Sequence, residues 1–177
     1  MCNFFSAIIT IDSIIFDKNV DSHEILIEQA RLDDTTKTPD FVRIEYVPVD
    51  NDIFTIDGWK MKIDQDLIPD WFDEDLAFKR CEKAFNSIKD DVIIINRKDD
   101  IIKNLRCFVK NSKVVAWKNS KVEAWENSIV EAWGNSIVRI FSDYCEFSCF
   151  DNAIIIKNNK IIIANMNLYS LEEFNKK

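Results

Sequence analysis

The 177-residue chain is 47% hydrophobic and 31% charged, with a formal net charge of −8, two glycines, three prolines, five cysteines and one histidine. That composition supplies a core for one domain or two small ones and excludes a low-complexity or linker-rich chain. No apolar run approaches a membrane span, no basic stretch with an apolar run and cleavage site marks a signal peptide, and no paired CxxC spacing marks a zinc site. A reduced, cytoplasmic setting is therefore expected.

Charge is uneven. Residues 1–100 carry 23 acidic and 12 basic side chains, net −11, and residues 101–177 carry 8 and 11, net +3, which together give −8. An acidic half argues against direct nucleic-acid binding by that half. It permits a nucleic-acid-like negative surface offered to a basic partner, or simply solubility.

The first hundred residues predict a small acidic α+β domain of about five strands and two helices. Asn3–Thr10 reads as a strand, followed by a turn at Asp12-Ser13 and a second strand, IIFD. Asp21 starts a helix, with Glu24 three residues on as the capping-box pattern and apolar positions Ile25, Leu26, Ile27 and Ala30. Phe41–Val47 reads as a strand stopped by Pro48. Phe54–Lys62 contains Asp57-Gly58, a hairpin signal. Pro69 precedes a second helix, capped near Asp73, whose apolar face is Ala77, Cys81, Ala84, Phe85 and Ile88.

Asp64, Asp66, Asp70, Asp73, Glu74 and Asp75 form an acidic run. Oxygen ligands at this density suit Ca²⁺ or Mg²⁺, but no glycine-containing loop of EF-hand type is present, and a helix start favours negative charge anyway. No metal and no cofactor are expected. Trp59 and Trp71 nearby are expected in an aromatic core rather than lining a groove.

Residues 101–177 predict a short β-solenoid with a capping hairpin. Val92–Ile95 and Leu105–Val109 are candidate strands at its start. Residues 111–142 are four copies of one octad: NSKVVAWK, NSKVEAWE, NSIVEAWG and NSIVRIFS. A fixed short period marks a chain that stacks on itself. Asn and Ser open each copy as turn formers. Ser, Val and Ala then share one phase of a two-residue alternation and face one side of a strand. Eight extended residues span at most about 27 Å, too little to run out and return. Two octads make a coil with two strands, so copies alternate between two faces. Val114 then lies over Val130, Trp117 over Trp133, and Trp125 over Phe141, each about 4.8 Å apart. A run of β-hairpins shares the alternation, but glycine is missing from every turn except Gly134. Ser142–Phe150 keeps the alternation without the motif. Ala153–Asn165 reads as two isoleucine-rich strands around Asn158-Asn159, a hairpin covering the open end of the stack. Leu171–Lys177 reads as a frayed tail.

The segments MCNFFSAIIT, DSHEILI and KIDQDLIPDW resemble a group of uncharacterised small proteins of phages and mobile elements that begin MCNFFS, carry a DSH element and trail into short repeats. The resemblance covers about the first 75 residues. It draws attention to Cys2, Asp21, Ser22, His23, Asp64 and Gln65 without assigning them roles.

Cys2 is the candidate nucleophile. Methionine aminopeptidases remove Met before small residues, which would leave a thiol beside its own amine, as in amidotransferases that begin Met-Cys. A thiolate needs a nearby base or cation. His23 is the single histidine, in the first turn of its helix, with Asp64 or Glu45 as candidates to orient it. Otherwise Cys2 is a small apolar residue at a strand start and His23 a surface residue. The first expectation is a non-enzymatic interaction protein, phage-borne and acting in counter-defence or regulation. It would bind a protein partner or self-associate through the solenoid face or edge, with Trp117, Trp125, Trp133 and Phe141 as binding residues. The alternative is a Cys2-dependent enzyme of acyl or glycosyl transfer, with catalytic residues Cys2, His23 and Asp64 and the solenoid as scaffold.

Overall fold

The computed structural model describes residues 5–34, 40–49, 52–55 and 58–163. The chain divides into two compact units, Met1–Asp90 and Asp91–Lys177.

In the first unit, β1 (Phe5–Thr10), β2 (Ile14–Ile15), α1 (His23–Ala30), β3 (Phe41–Pro48), β4 (Trp59–Ile63) and α2 (Glu74–Val92) follow in chain order. The strands make one antiparallel sheet in the order β2-β1-β3-β4. Its two faces follow from the pleat. Ser6, Ile8 and Thr10 oppose Glu45, Arg43 and Phe41, while Phe5, Ala7 and Ile9 alternate with them and oppose Tyr46, Ile44 and Val42. α1 covers the first face, where Leu26 and Ile27 pack with Ile8 and Phe41. The second face is aromatic. Phe85 of α2 lies 5.8 Å from Phe5, 5.4 Å from Tyr46 and 4.3 Å from Trp59, centroid to centroid. Ala77, Cys81 and Ala84 complete the buried stripe of α2, as its 3.6-residue period requires. Arg80 on the same helix donates to the carbonyls of Thr10 at 2.9 Å and Ile11 at 3.2 Å, pinning the β1–β2 turn.

Several sequence expectations shift here. α1 is capped by Ser22, whose hydroxyl accepts from the Ile25 amide, and not by Asp21. The Asp21 carbonyl instead accepts from Ser6 Oγ at 3.3 Å. No hairpin forms over 54–62 among the described residues. Phe54 and Thr55 lie in a turn built on Asp52, and β4 pairs with β3 instead. The preceding strand won the pairing because its alternating apolar face matches that of β4; Asp57 lies outside the described residues. Among the described residues the first unit therefore has four strands, and the strands at Ile93 and Asp100 belong to the solenoid. Asp73 does cap α2, its carboxylate accepting from the Leu76 amide at 2.9 Å.

The second unit is a two-sheet parallel β-solenoid. Its strands are β5 (Ile93–Ile95), β6 (Asp100–Lys103), β7 (Arg106–Lys110), β8 (Lys113–Trp117), β9 (Lys121–Trp125), β10 (Ile129–Ala132), β11 (Ile137–Ile140), β12 (Glu146–Cys149), β13 (Ile154–Lys157) and β14 (Lys160–Ile163). Successive strands alternate sheets as far as β13. One sheet runs β12-β10-β8-β6 and the other β14-β13-β11-β9-β7-β5. All pairings are parallel except that of β13 with β14. Val114 pairs with Val130, and Val122 with Val138, so two octads make one coil.

Each octad position has a physical role in this stack. Val and Ala point inward and fill the thin core; Val114, Val122, Val130, Val138, Ala116, Ala124 and Ala132 are all buried. Ser112, Ser120, Ser128 and Ser136 are buried too. Each bonds a carbonyl within its own turn and another one coil earlier, as Ser120 does with Trp117 and Ile102 at 2.7 and 3.0 Å. These bonds satisfy the buried hydroxyls themselves, and at Ala116 the same carbonyl also accepts from the Trp133 amide at 2.8 Å. The asparagines stack between coils, as in Asn135 Nδ2 to Asn119 Oδ1 at 3.3 Å and Asn127 to Asn111. The eighth position of the first three copies is left-handed, with φ of 59° at Lys118, 53° at Glu126 and 68° at Gly134. Only at Gly134 does the sequence supply the residue that adopts this conformation without penalty.

β13 continues the parallel stack as its last strand, and β14 folds back on it through Asn158 and Asn159, both left-handed. That pair of positive φ values is the geometry of a primed two-residue hairpin turn. Asn165 and Leu171–Lys177 lie outside the described residues.

Candidate functional site

Two places in the chain combine unusual chemistry with a defined geometry. The first is a polar cluster at the N-terminus of α1. His23 is 1% exposed, so it is neither a surface residue nor a solvent-facing base. Its Nε2 lies 2.8 Å from the Ile44 carbonyl. A carbonyl only accepts, so Nε2 carries hydrogen and donates. Its Nδ1 lies 3.4 Å from Asp64 Oδ2, and that carboxylate is about half exposed. Asp64 is therefore the acidic partner of His23. Glu45, the other candidate, is 3% exposed and lies 3.7 Å from Lys62 Nζ. It opposes Ser6 across the β1–β3 pairing. Gln65 is a backbone brace: its Oε1 accepts from the Arg43 amide at 2.8 Å and its Nε2 donates to the carbonyls of Phe41 and Leu67.

Sequence reasoning found His23 and Asp64, and the structure brings these two together. Cys2 lies outside the described residues. For His23 to take a proton from a thiol through Nε2, that nitrogen must first leave the Ile44 carbonyl. Among the described residues no group of three or more His, Cys, Asp or Glu is placed to hold a metal ion.

The second place is the outer surface of the solenoid. Its corners carry two aromatic ladders. Trp117 stacks on Trp133 at 5.2 Å and Trp133 on Phe150 at 3.9 Å. Trp125 stacks on Phe141 at 4.6 Å with rings 8° from parallel. All four sequence-predicted binding residues thus belong to these ladders. Ring faces within a ladder are spent on each other, which leaves edges and terminal rings for solvent. Trp117 is 39% exposed and Phe141 54%.

Between the ladders the outer rows are apolar to a degree the octad does not announce. On the second sheet, Ile137, Ile154 and Ile163 share one outward row, continued by Lys121. Arg139, Ile156 and Ile161 share the next. Ile161 is 66% exposed, Ile163 51% and Ile137 36%. Their neighbours Ile155 and Ile162 face inward on the core. Sequence reasoning took these isoleucines as a cover for the stack and missed their outward half. The signal was present in the triplets Ile154-Ile155-Ile156 and Ile161-Ile162-Ile163, because three apolar residues in a row make both faces of a strand apolar.

Comparison with protein-family models, curated proteins and solved structures finds no match. Among the described residues no helix is long and apolar enough to cross a membrane.

Proposed function

We propose that the protein is a non-enzymatic interaction module that holds a protein partner on the outer surface of its solenoid. The observation that carries this reading is the set of large apolar side chains left in solvent by a regular, hydrogen-bonded stack: Ile137, Phe141, Ile161 and Ile163. Clustered apolar surface of this kind marks interaction sites. A two-sheet stack also presents it without the ordering cost that a loop incurs. The likeness of about the first 75 residues to small phage and mobile-element proteins supports, as analogy, a role in regulation or counter-defence.

The test is a photo-crosslinking amino acid placed at Phe141, with the same group at the exposed Glu28 of α1 as control, in cells that carry the protein. A partner adduct formed from position 141 and not from 28 supports the reading. Identical adducts from both positions, or none from 141, contradict it.

A second reading is favoured by the His23–Asp64 pairing. Here Cys2 is a nucleophile in acyl or glycosyl transfer and His23 its base, oriented by Asp64. It is supported by a buried imidazole with a carboxylate on one nitrogen, the arrangement that orients a catalytic histidine. Its test is the reactivity of Cys2, given below.

A further inference from the structure

The isoleucine face of the second solenoid sheet is basic at its margins. Lys121 and Arg139 are exposed on it and have no ion-pair partner among the described residues, and Glu123, which lies across from Arg139, is already paired with Arg106 at 3.2 Å. A partner for this face must bring apolar groups and negative charge together. The first unit carries such a surface. Leu67, Ile68 and Leu76 are 56%, 48% and 45% exposed. Asp66, Asp70 and Glu74 lie exposed among them.

We propose that the occupant of the isoleucine face is a second copy of this chain, docked through its acidic Leu67–Leu76 segment. This names the partner for the surface read above as an interaction site, and it rests on that reading. Charge decides the mode of association. Two copies meeting isoleucine face to isoleucine face would set Lys121 and Arg139 against the same two cations. Docking the acidic segment pairs opposite charges and covers Leu67, Ile68 and Leu76 with Ile137, Ile161 and Ile163. Such a contact is heterologous: each copy keeps one used and one free surface, so association builds past a dimer unless the ring closes. The face is four strands wide, about 19 Å at about 4.8 Å per strand. Four residues along each strand add about 13 Å, so the face offers roughly 250 Å², small beside the roughly 800 Å² each partner buries in a standard interface, and the contact belongs to the weak, transient class.

Sedimentation velocity of the full chain over a range of about 5 to 500 μM tests it, because weak interfaces of this size need high concentration to fill. The expected result is a mass that rises with concentration and falls with salt. Arg139→Glu, and separately Asp66→Lys with Asp70→Lys, each weaken association by about tenfold or more, as like charges then meet across the contact. All these side chains are exposed, and far-ultraviolet circular dichroism confirms that each variant is folded. Mixing the two reversed variants restores association, since their charges are again opposite. A chain that sediments as a monomer at every concentration overturns the proposal. So does association that ignores the acidic reversal. In either case crosslinking of a different protein at Phe141 would still stand, so the interaction reading and the identity of the occupant fail separately.

Discussion

Val122→Asp is the sharpest test of how the octad faces. Val122 is 1% exposed and lies in an inward row with Cys107, Val138 and Ile155. Among the described residues the only buried polar side chains of the second unit are serines. Removing a buried valine forfeits about 1.5–3 kcal/mol. The aspartate that replaces it has no partner and stays neutral. Holding it protonated at pH 7 against an ordinary value near 3.9 costs about 4 kcal/mol more. The sum, about 6 kcal/mol, matches or exceeds much of the stability of a small domain. Lys121→Asp, one residue earlier and exposed, should change stability by less than about 0.5 kcal/mol. The pH dependence has a definite sign. The folded aspartate titrates above the unfolded one, so the penalty is least below about pH 4. It grows by about 1.4 kcal/mol per unit as pH rises toward the folded value. Urea unfolding followed by tryptophan fluorescence reads this directly, since Trp117, Trp125 and Trp133 all sit in the solenoid ladders. Equal midpoint shifts for the two variants, or a Val122→Asp penalty indifferent to pH, would refute the facing assignment.

Further outcomes follow from the corners and the thiols. Lys118→Gly relieves a left-handed lysine and should add about 1 kcal/mol in urea titration. Gly134→Ala should lower stability by more than about 1 kcal/mol, because the new Cβ would approach the Lys118 backbone to 3.1 Å at φ +68°. Ser136→Ala, which strips a buried bond to the Ala116 carbonyl at 3.0 Å, should cost about 1–2 kcal/mol, and Asn135→Ala at the exposed corner less. Burial pushes the Cys81 thiol up to about 12, so iodoacetamide should label Cys81 only after unfolding; native labelling at the unfolded rate would contradict its packing. If Cys2 is a nucleophile, it labels faster than Cys81 and Cys107, and His23→Ala slows it; equal rates would remove the enzyme reading.

Local periodicity made the solenoid legible. Once two octads are needed per coil, the pairing of Val114 with Val130 and the stacking of Trp117 on Trp133 follow from chain length alone. The buried hydroxyls of Ser112, Ser120, Ser128 and Ser136 were half legible: their phase put them inward, but the earlier-coil carbonyls that accept from them come within reach only in the stack. The first unit was less legible because its contacts are non-local. Asp57-Gly58 signals a hairpin by itself, and nothing local reveals that β4 has a better partner in β3. Asp21 and Ser22 both fit an N-cap, and the bond from Ser6 to the Asp21 carbonyl separates them. His23 stood out by its rarity, yet its burial depends on β3 passing beneath it with the Ile44 carbonyl turned toward the ring.

The central claim is that the solenoid surface, and not Cys2, carries the function. Affinity capture of the crosslinked partner by three full-length chains tests it most directly: wild type, Cys2→Ala, and Ile137→Glu with Ile161→Glu. Both isoleucines are exposed, so the double variant should remain folded, with its circular dichroism unchanged. Cys2→Ala is predicted to hold as much partner as wild type, and the isoleucine variant to lose about tenfold or more, the scale expected when charges replace apolar anchors at an interface. Full capture by the isoleucine variant with loss in Cys2→Ala would contradict the account.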